Sequence, residues 1–167
     1  MIKFAKNSCL KRYKKVIGWV FIAFIIQFSF ASCASVDLYE KNVSIPGHSW
    51  KSSFKPSFEI TITDSTAPYQ LFFVIRHTEK YSFNNIWINL YSQPPGDTLH
   101  KVRYELQLAT NKDGWLGTGM DDIYEHRIPL TDPRPLRAGT YKFSIEQVMR
   151  EDPLQHVWNA GIRLEKK

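Results

Sequence analysis

Cysteine is nearly missing from this chain. Two occur in 167 residues, Cys9 and Cys33, and both sit near the N-terminus. Beyond Cys33 there is no thiol, which excludes a disulfide scaffold, a cysteine metal site and thiol catalysis in that portion. Also missing are a long run of helical period, an internal repeat and any low-complexity segment. No serine stands in a G-x-S-x-G elbow, so the usual hydrolase nucleophile has no place to sit. The fold must then rest on a core of its own, and residues 33–167 are enough chain to build one.

An excess of charge of one sign is missing too, once the N-terminus is set apart. Residues 1–15, MIKFAKNSCLKRYKK, hold Lys3, Lys6, Lys11, Arg12, Lys14 and Lys15 and no acid. Taking those six from the 22 Lys+Arg leaves 16 against 16 Asp+Glu, a net of zero after residue 32. The basic pI of about 9.3 therefore belongs to the leader and gives no sign of nucleic-acid binding.

What is present begins with an export signal. The basic head is followed by an apolar run, Val16–Ile26, which Gln27 and Ser29 interrupt before Phe30-Ala31-Ser32-Cys33. A small-residue pair ahead of a cysteine resembles the lipobox of bacterial lipoproteins. That resemblance implies cleavage after residue 32 and acyl chains on Cys33, so that membrane lipid is the first partner. The alternative is an uncleaved anchor helix, for which a span of about 20 apolar residues is needed. Small Ala31-Ser32 before Cys33 favours cleavage. The expected organisation is a signal peptide over 1–32, a lipidated Cys33 with a short tether to residue 40, and one domain over 41–167.

That domain reads as all-β. Phe58, Ile60 and Ile62 alternate with Glu59, Thr61 and Thr63, the two-residue period of a half-buried strand. Tyr69–Thr78 is apolar on both faces, which predicts a central strand covered on each side. Ile86, Ile88 and Leu90 are expected inward, with Trp87, Asn89 and Tyr91 opposite. Pro94-Pro95-Gly96 marks a turn. Val102, Tyr104, Leu106 and Leu108 should face the core from the next strand, and Tyr141, Phe143 and Ile145 from a later one. A first short strand is expected within 41–50 and a last one over 161–165. Residues 111–135 show no period and read as a long packed loop, and residues 151–158 as one helical turn. The sum is a single antiparallel β-sandwich, Ig-like or jelly-roll-like, with strand order open.

Taken together, Arg76–Ile88 (RHTEKYSFNNIWI), Gly114–Leu130 (GWLGTGMDDIYEHRIPL), Gly139–Leu154 (GTYKFSIEQVMREDPL) and the terminal GIRLEKK resemble the gliding motility lipoprotein GldH family of Bacteroidetes. The resemblance implies an outer-membrane lipoprotein needed for surface gliding, linked to type IX secretion and working with envelope proteins of that machinery. It brings no catalytic residues and no cofactor. In this phylum acids directly after the lipidated Cys accompany surface exposure. Ala34-Ser35-Val36-Asp37 offers one only late, which favours the periplasmic face.

Few residues invite chemistry. Asp121, Asp122, Glu125 and His126 crowd one segment, but they lack calcium-loop spacing and a second histidine, so a solvated turn is the expectation and no metal is assigned. His77, alone at a strand end, reads as a hydrogen-bonded structural group. The aromatics are the better lead. Trp87 and Tyr91 share a strand face, and with Trp115, Asp121, Asp122 and Tyr124 they form the candidate partner-binding set. The alternative use of outward rings is stacking on an envelope glycan.

Overall fold

The structure is a computed structural model that describes residues 38–167. The leader and Cys33 lie outside the described residues. Among the latter, fourteen strands and one short 3-10 turn, Pro46–His48, follow in order. The strands are β1 Leu38–Ser44, β2 Ser49–Trp50, β3 Ser57–Ile62, β4 Pro68–Thr78, β5 Asn85–Gln93, β6 His100–Gln107 and β7 Ala109–Thr110. They continue as β8 Gly114–Trp115, β9 Thr118–Met120, β10 Ile123–Pro129, β11 Arg134–Pro135, β12 Gly139–Gln147, β13 Leu154–Gln155 and β14 Val157–Lys166.

Strand order, which side-chain periodicity does not encode, is β1-β14-β4-β10-β9 in one sheet, with β11 on the early end of β4. The second sheet is β3-β12-β5-β6. Every pairing is antiparallel. The two sheets face each other over one core, so the fold is an all-β sandwich. Alternate residues build it: Leu71, Phe73 and Ile75 of β4 and Ala160, Ile162 and Leu164 of β14 meet Phe58, Ile60, Ile62, Ile86, Ile88, Leu90, Tyr141, Phe143 and Ile145. Each large side chain so buried contributes about 1.5–3 kcal/mol.

Trp50 is fully buried and donates its indole N–H to the Phe54 carbonyl at 2.8 Å, which ties the segment before β3 to the core. Buried Gln147 is satisfied on both sides of its amide. It donates to the Trp50 carbonyl at 3.2 Å and accepts from the Met149 N–H at 2.8 Å. Gly161 is required by a close approach, since a Cβ there would lie 2.4 Å from the Lys41 carbonyl and 2.1 Å from Asn42 Oδ1. The glycine of the terminal GIRLEKK stretch thus lets β1 lie on β14.

Several expectations need correction. The first strand begins at Leu38, so the end of the segment read as a tether is already paired with β14. Residues 151–158 hold no helical turn, because Leu154–Gln155 pair with Ser49–Trp50 instead. The stretch 111–135 is not a loop throughout. It supplies the short β8, β9 and β11 and the seven-residue β10, which aligns Ile123–Pro129 beside β4. Glycines and prolines at its turns mask a short alternation in IYEHRIP.

On the outer face of β4, among the described residues, the cover comes from side chains of the neighbouring strands. Val74 is buried in register between Arg127 and Gly161, while Phe72 is half-buried with the Lys167 ammonium 5.3 Å from its ring centre. Around them runs an ionic chain. Arg76 and Arg127 pair with Glu125, Arg127 and Arg163 with Glu40 at 3.3 and 3.0 Å, and Arg163 with Glu165 at 2.6 Å. Finally, Val102 stands on the core side, in register with Leu90, but is 46% exposed at the edge of that sheet.

Candidate functional site

The outer face of the four-stranded sheet is built from the odd positions of β5. Ile86, Ile88 and Leu90 go into the core, which forces Trp87, Asn89 and Tyr91 outward. The neighbouring β6 and the loop before β3 then cover those rings with cations. The Arg103 guanidinium lies 4.7 Å from the Trp87 ring centre, and the Lys55 and Lys101 ammoniums lie 5.1 and 5.4 Å from that of Tyr91. At exposed sites such a contact contributes about 0.5–1 kcal/mol. A sugar stacking on these rings would have to displace the cations.

Glu146 of β12 is the acid at the centre of this face. It accepts from the Tyr91 hydroxyl at 2.6 Å and from Asn89 at 2.8 Å, and pairs with Lys55 at 2.7 Å. Partial burial pushes its pKa up, but the bonds from Lys55, Tyr91 and Asn89 outweigh that and hold it at about 2. The face is a fixed hydrogen-bonded lattice and not a free carboxylate.

Trp115 and Tyr124 lie elsewhere, among rings packed around two histidines. The ring centre of Trp115 is 4.4 Å from His77, 5.7 Å from Tyr124 and 6.4 Å from His126. His77 is fully buried and His126 is 3% exposed. Their Nε2 atoms are 2.9 Å apart, and His77 Nδ1 is 2.8 Å from the Thr78 carbonyl. A carbonyl only accepts, so His77 carries its proton on Nδ1 and His126 donates from Nε2. Burial lowers both pKa values; that of His126, further depressed by His77, falls to about 4. The two rings are thus neutral and joined by the one proton between their Nε2 atoms. Gly117 closes the chain over the pair, since a Cβ there would lie 2.8 Å from His126 Nε2 and 2.5 Å from the Glu125 carbonyl.

Asp121 and Asp122 occupy the exposed β9–β10 turn, with Asp121 at a positive φ of 55°. They do not join His126, which the β10 pleat turns inward, or Glu125, which it turns outward to Arg76 and Arg127. Among the described residues no three metal-ligating side chains converge. The six candidate residues are thus dispersed over a sheet face, a buried cluster and a turn. The His77–His126 pair was missed because the two lie on different strands. The signal for it was the β4–β10 register, which a sequence does not print. A cavity of about 70 Å³ opens between Tyr69, Leu71, Tyr141 and Phe143, with Ser92, Thr131 and Arg134 also on its lining, and a larger open cleft is lined by Leu116, Gly117, Glu125 and His126.

With this geometry in view, comparison with known proteins is direct. The sequence profile described as GldH lipoprotein matches residues 37–164, the whole sandwich bar its last turns of chain. A gliding motility lipoprotein GldH homolog of Christiangramia forsetii is 30% identical over 156 residues, covering 89% of this chain and 94% of that protein. The gliding motility lipoprotein GldH of Flavobacterium johnsoniae is 29% identical over 158 residues, covering 90% and 96%. Among solved structures, the insecticidal delta-endotoxin Cry8Ea1 of Bacillus thuringiensis aligns with a TM-score of 0.41 at 11% identity, over 68% of this chain and 18% of that one. With the family match spanning residues 37–164 and a relative 30% identical over nearly the full length of both chains, this chain belongs to the GldH lipoprotein family.

Proposed function

We propose that this chain is a non-enzymatic assembly component of the gliding apparatus, held on the periplasmic face of the outer membrane by acylated Cys33 and linked to type IX secretion. The observation that carries this reading is the GldH lipoprotein match across residues 37–164, set behind a leader that ends in Ala31-Ser32-Cys33. The sandwich works by docking envelope proteins, through the Trp87–Tyr91 face and the Asp121–Asp122 turn, while Trp115 and Tyr124 hold the fold. The buried, mutually hydrogen-bonded imidazole pair and the saturated Glu146 support a role without turnover.

Acyl chains contribute about 0.8 kcal/mol per buried CH₂, and two such chains hold a protein stably. A Cys33→Ala variant is therefore expected to leave the membrane fraction and to lose surface spreading in the host. Retention in the membrane, or full spreading from a soluble form, would overturn the proposal.

A further inference from the structure

The two edges of the four-stranded sheet differ. In β3, Phe58, Ile60 and Ile62 are buried and only the alternate residues are exposed. In β6, His100, Lys101, Val102 and Arg103 are all exposed, so both faces of the strand and its outer backbone edge are open. Val102 is 46% exposed on the core side, and Leu99 just before it is 62% exposed. On the outward side, Lys101 and Arg103 make no ion pair with any acid among the described residues. Their positions are set by the rings of Tyr91 and Trp87. By contrast Lys55 is matched by Glu146 and Lys142 by Glu59 at 3.7 Å.

We propose that the β6 edge accepts an acidic extended peptide of a partner protein as a fifth strand. This rests on the reading that the domain works by docking. An added strand supplies the missing backbone partners, and its pleat turns successive side chains to opposite faces. Acids at alternate positions would come level with Lys101 and Arg103, and the residues between them would cover Val102. A second copy of this chain is the wrong occupant. Antiparallel pairing of the exposed half of β6 with itself about Val102 sets Lys101 opposite Arg103 of the copy, and like charges directly opposite are destabilising. The charges that guard this edge against self-association are therefore the ones that select an acidic strand. Trp87 and Tyr91, by fixing the two cations ahead of binding, reduce the ordering cost of the contact.

The test uses the full chain in detergent micelles and a fluorescent peptide as long as β6, of alternating glutamate and valine. Binding by anisotropy is expected, and is expected to weaken about tenfold or more in K101E/R103E, which should instead bind an alternating lysine and valine peptide. Two further glutamate peptides carry N-methyl groups on opposite sets of alternate amides. Strand addition predicts that one set abolishes binding and the other leaves it, because only one set faces the protein. Equal binding of both methylated peptides, no discrimination between the glutamate and lysine peptides, or no binding by the folded wild-type chain would each overturn the proposal. Spreading is not read in this test. No peptide binding together with lost spreading in Cys33→Ala defeats strand addition alone and leaves the anchored docking role standing.

Discussion

Trp87 and Trp115 are both half-buried, yet they stand in opposite relations to the fold. Trp87 lies on the outside of β5 with the Arg103 guanidinium 4.7 Å from its ring centre. Trp115 lies under the sandwich surface against His77, Tyr124 and His126. Half-burial in both cases therefore conceals different work. The first ring organises cations that face solvent, and the second fills space around a shared proton. What separates them is neighbours, and the neighbours follow from strand parity in one case and from a hairpin in the other.

The sharpest way to break this contrast is to truncate both rings. Trp115→Ala should destabilise the domain by about 3 kcal/mol, since it opens a hole beside two buried imidazoles, as read by urea unfolding. A loss no larger than that of Trp87→Ala would remove the distinction. Gly117→Ala should cost about 1–3 kcal/mol, because the new methyl collides with the Glu125 carbonyl and His126 Nε2. A neutral result would mean that the cover over the histidines yields easily.

Acid separates the two regions by pH window. The histidine pKa values are lowered in the fold, that of His126 from 6.5 to about 4, so between these values the unfolded chain binds more protons. Stability from the pair is complete above about pH 6.5 and is lost as pH falls toward 4. Glu146 is lowered from 4.5 to about 2, so its contribution stays until pH falls below 4.5 and goes between there and 2. A melting temperature followed from pH 7 to 3 should fall in two stages, and His126→Leu should flatten only the first. The smallest effect is expected from Trp87→Ala, less than about 1 kcal/mol of stability, because it removes one cation–π contact and no core volume. Its consequence should be in docking, seen as weaker association with envelope partners at an unchanged melting temperature within a few degrees.

Most of the core was legible from the order of residues. FEITI, NIWINLYS and TYKFSI alternate so plainly that Phe58, Ile88 and Phe143 could be placed inward before any pairing was known. The outward positions of Trp87 and Tyr91 followed from the same parity. Other features depend on contacts distant in sequence. β10 is visible as a strand only beside β4, and Leu154–Gln155 becomes a strand only because Ser49–Trp50 lies next to it. The double-sided apolarity of β4 read as two covering layers, yet its second face carries Glu40, Glu125, Arg127 and Arg163. Those residues come from three strands far apart in the chain, and each looks like an ordinary surface charge alone. Val102 fits the inward pattern of β6, yet it is exposed at the edge of its sheet.

The central claim is that a lipid-held sandwich docks its partners through the cation-covered face of Trp87 and Tyr91. In-cell photo-crosslinking from position 87 tests it most directly, with position 123 on the outer face of the other sheet as reference. Docking through this face should give a discrete adduct with an envelope protein from position 87 that disappears in Cys33→Ala, and none of that size from position 123. Adducts from position 123 alone, or an adduct from 87 that persists when Cys33 is removed, would contradict it.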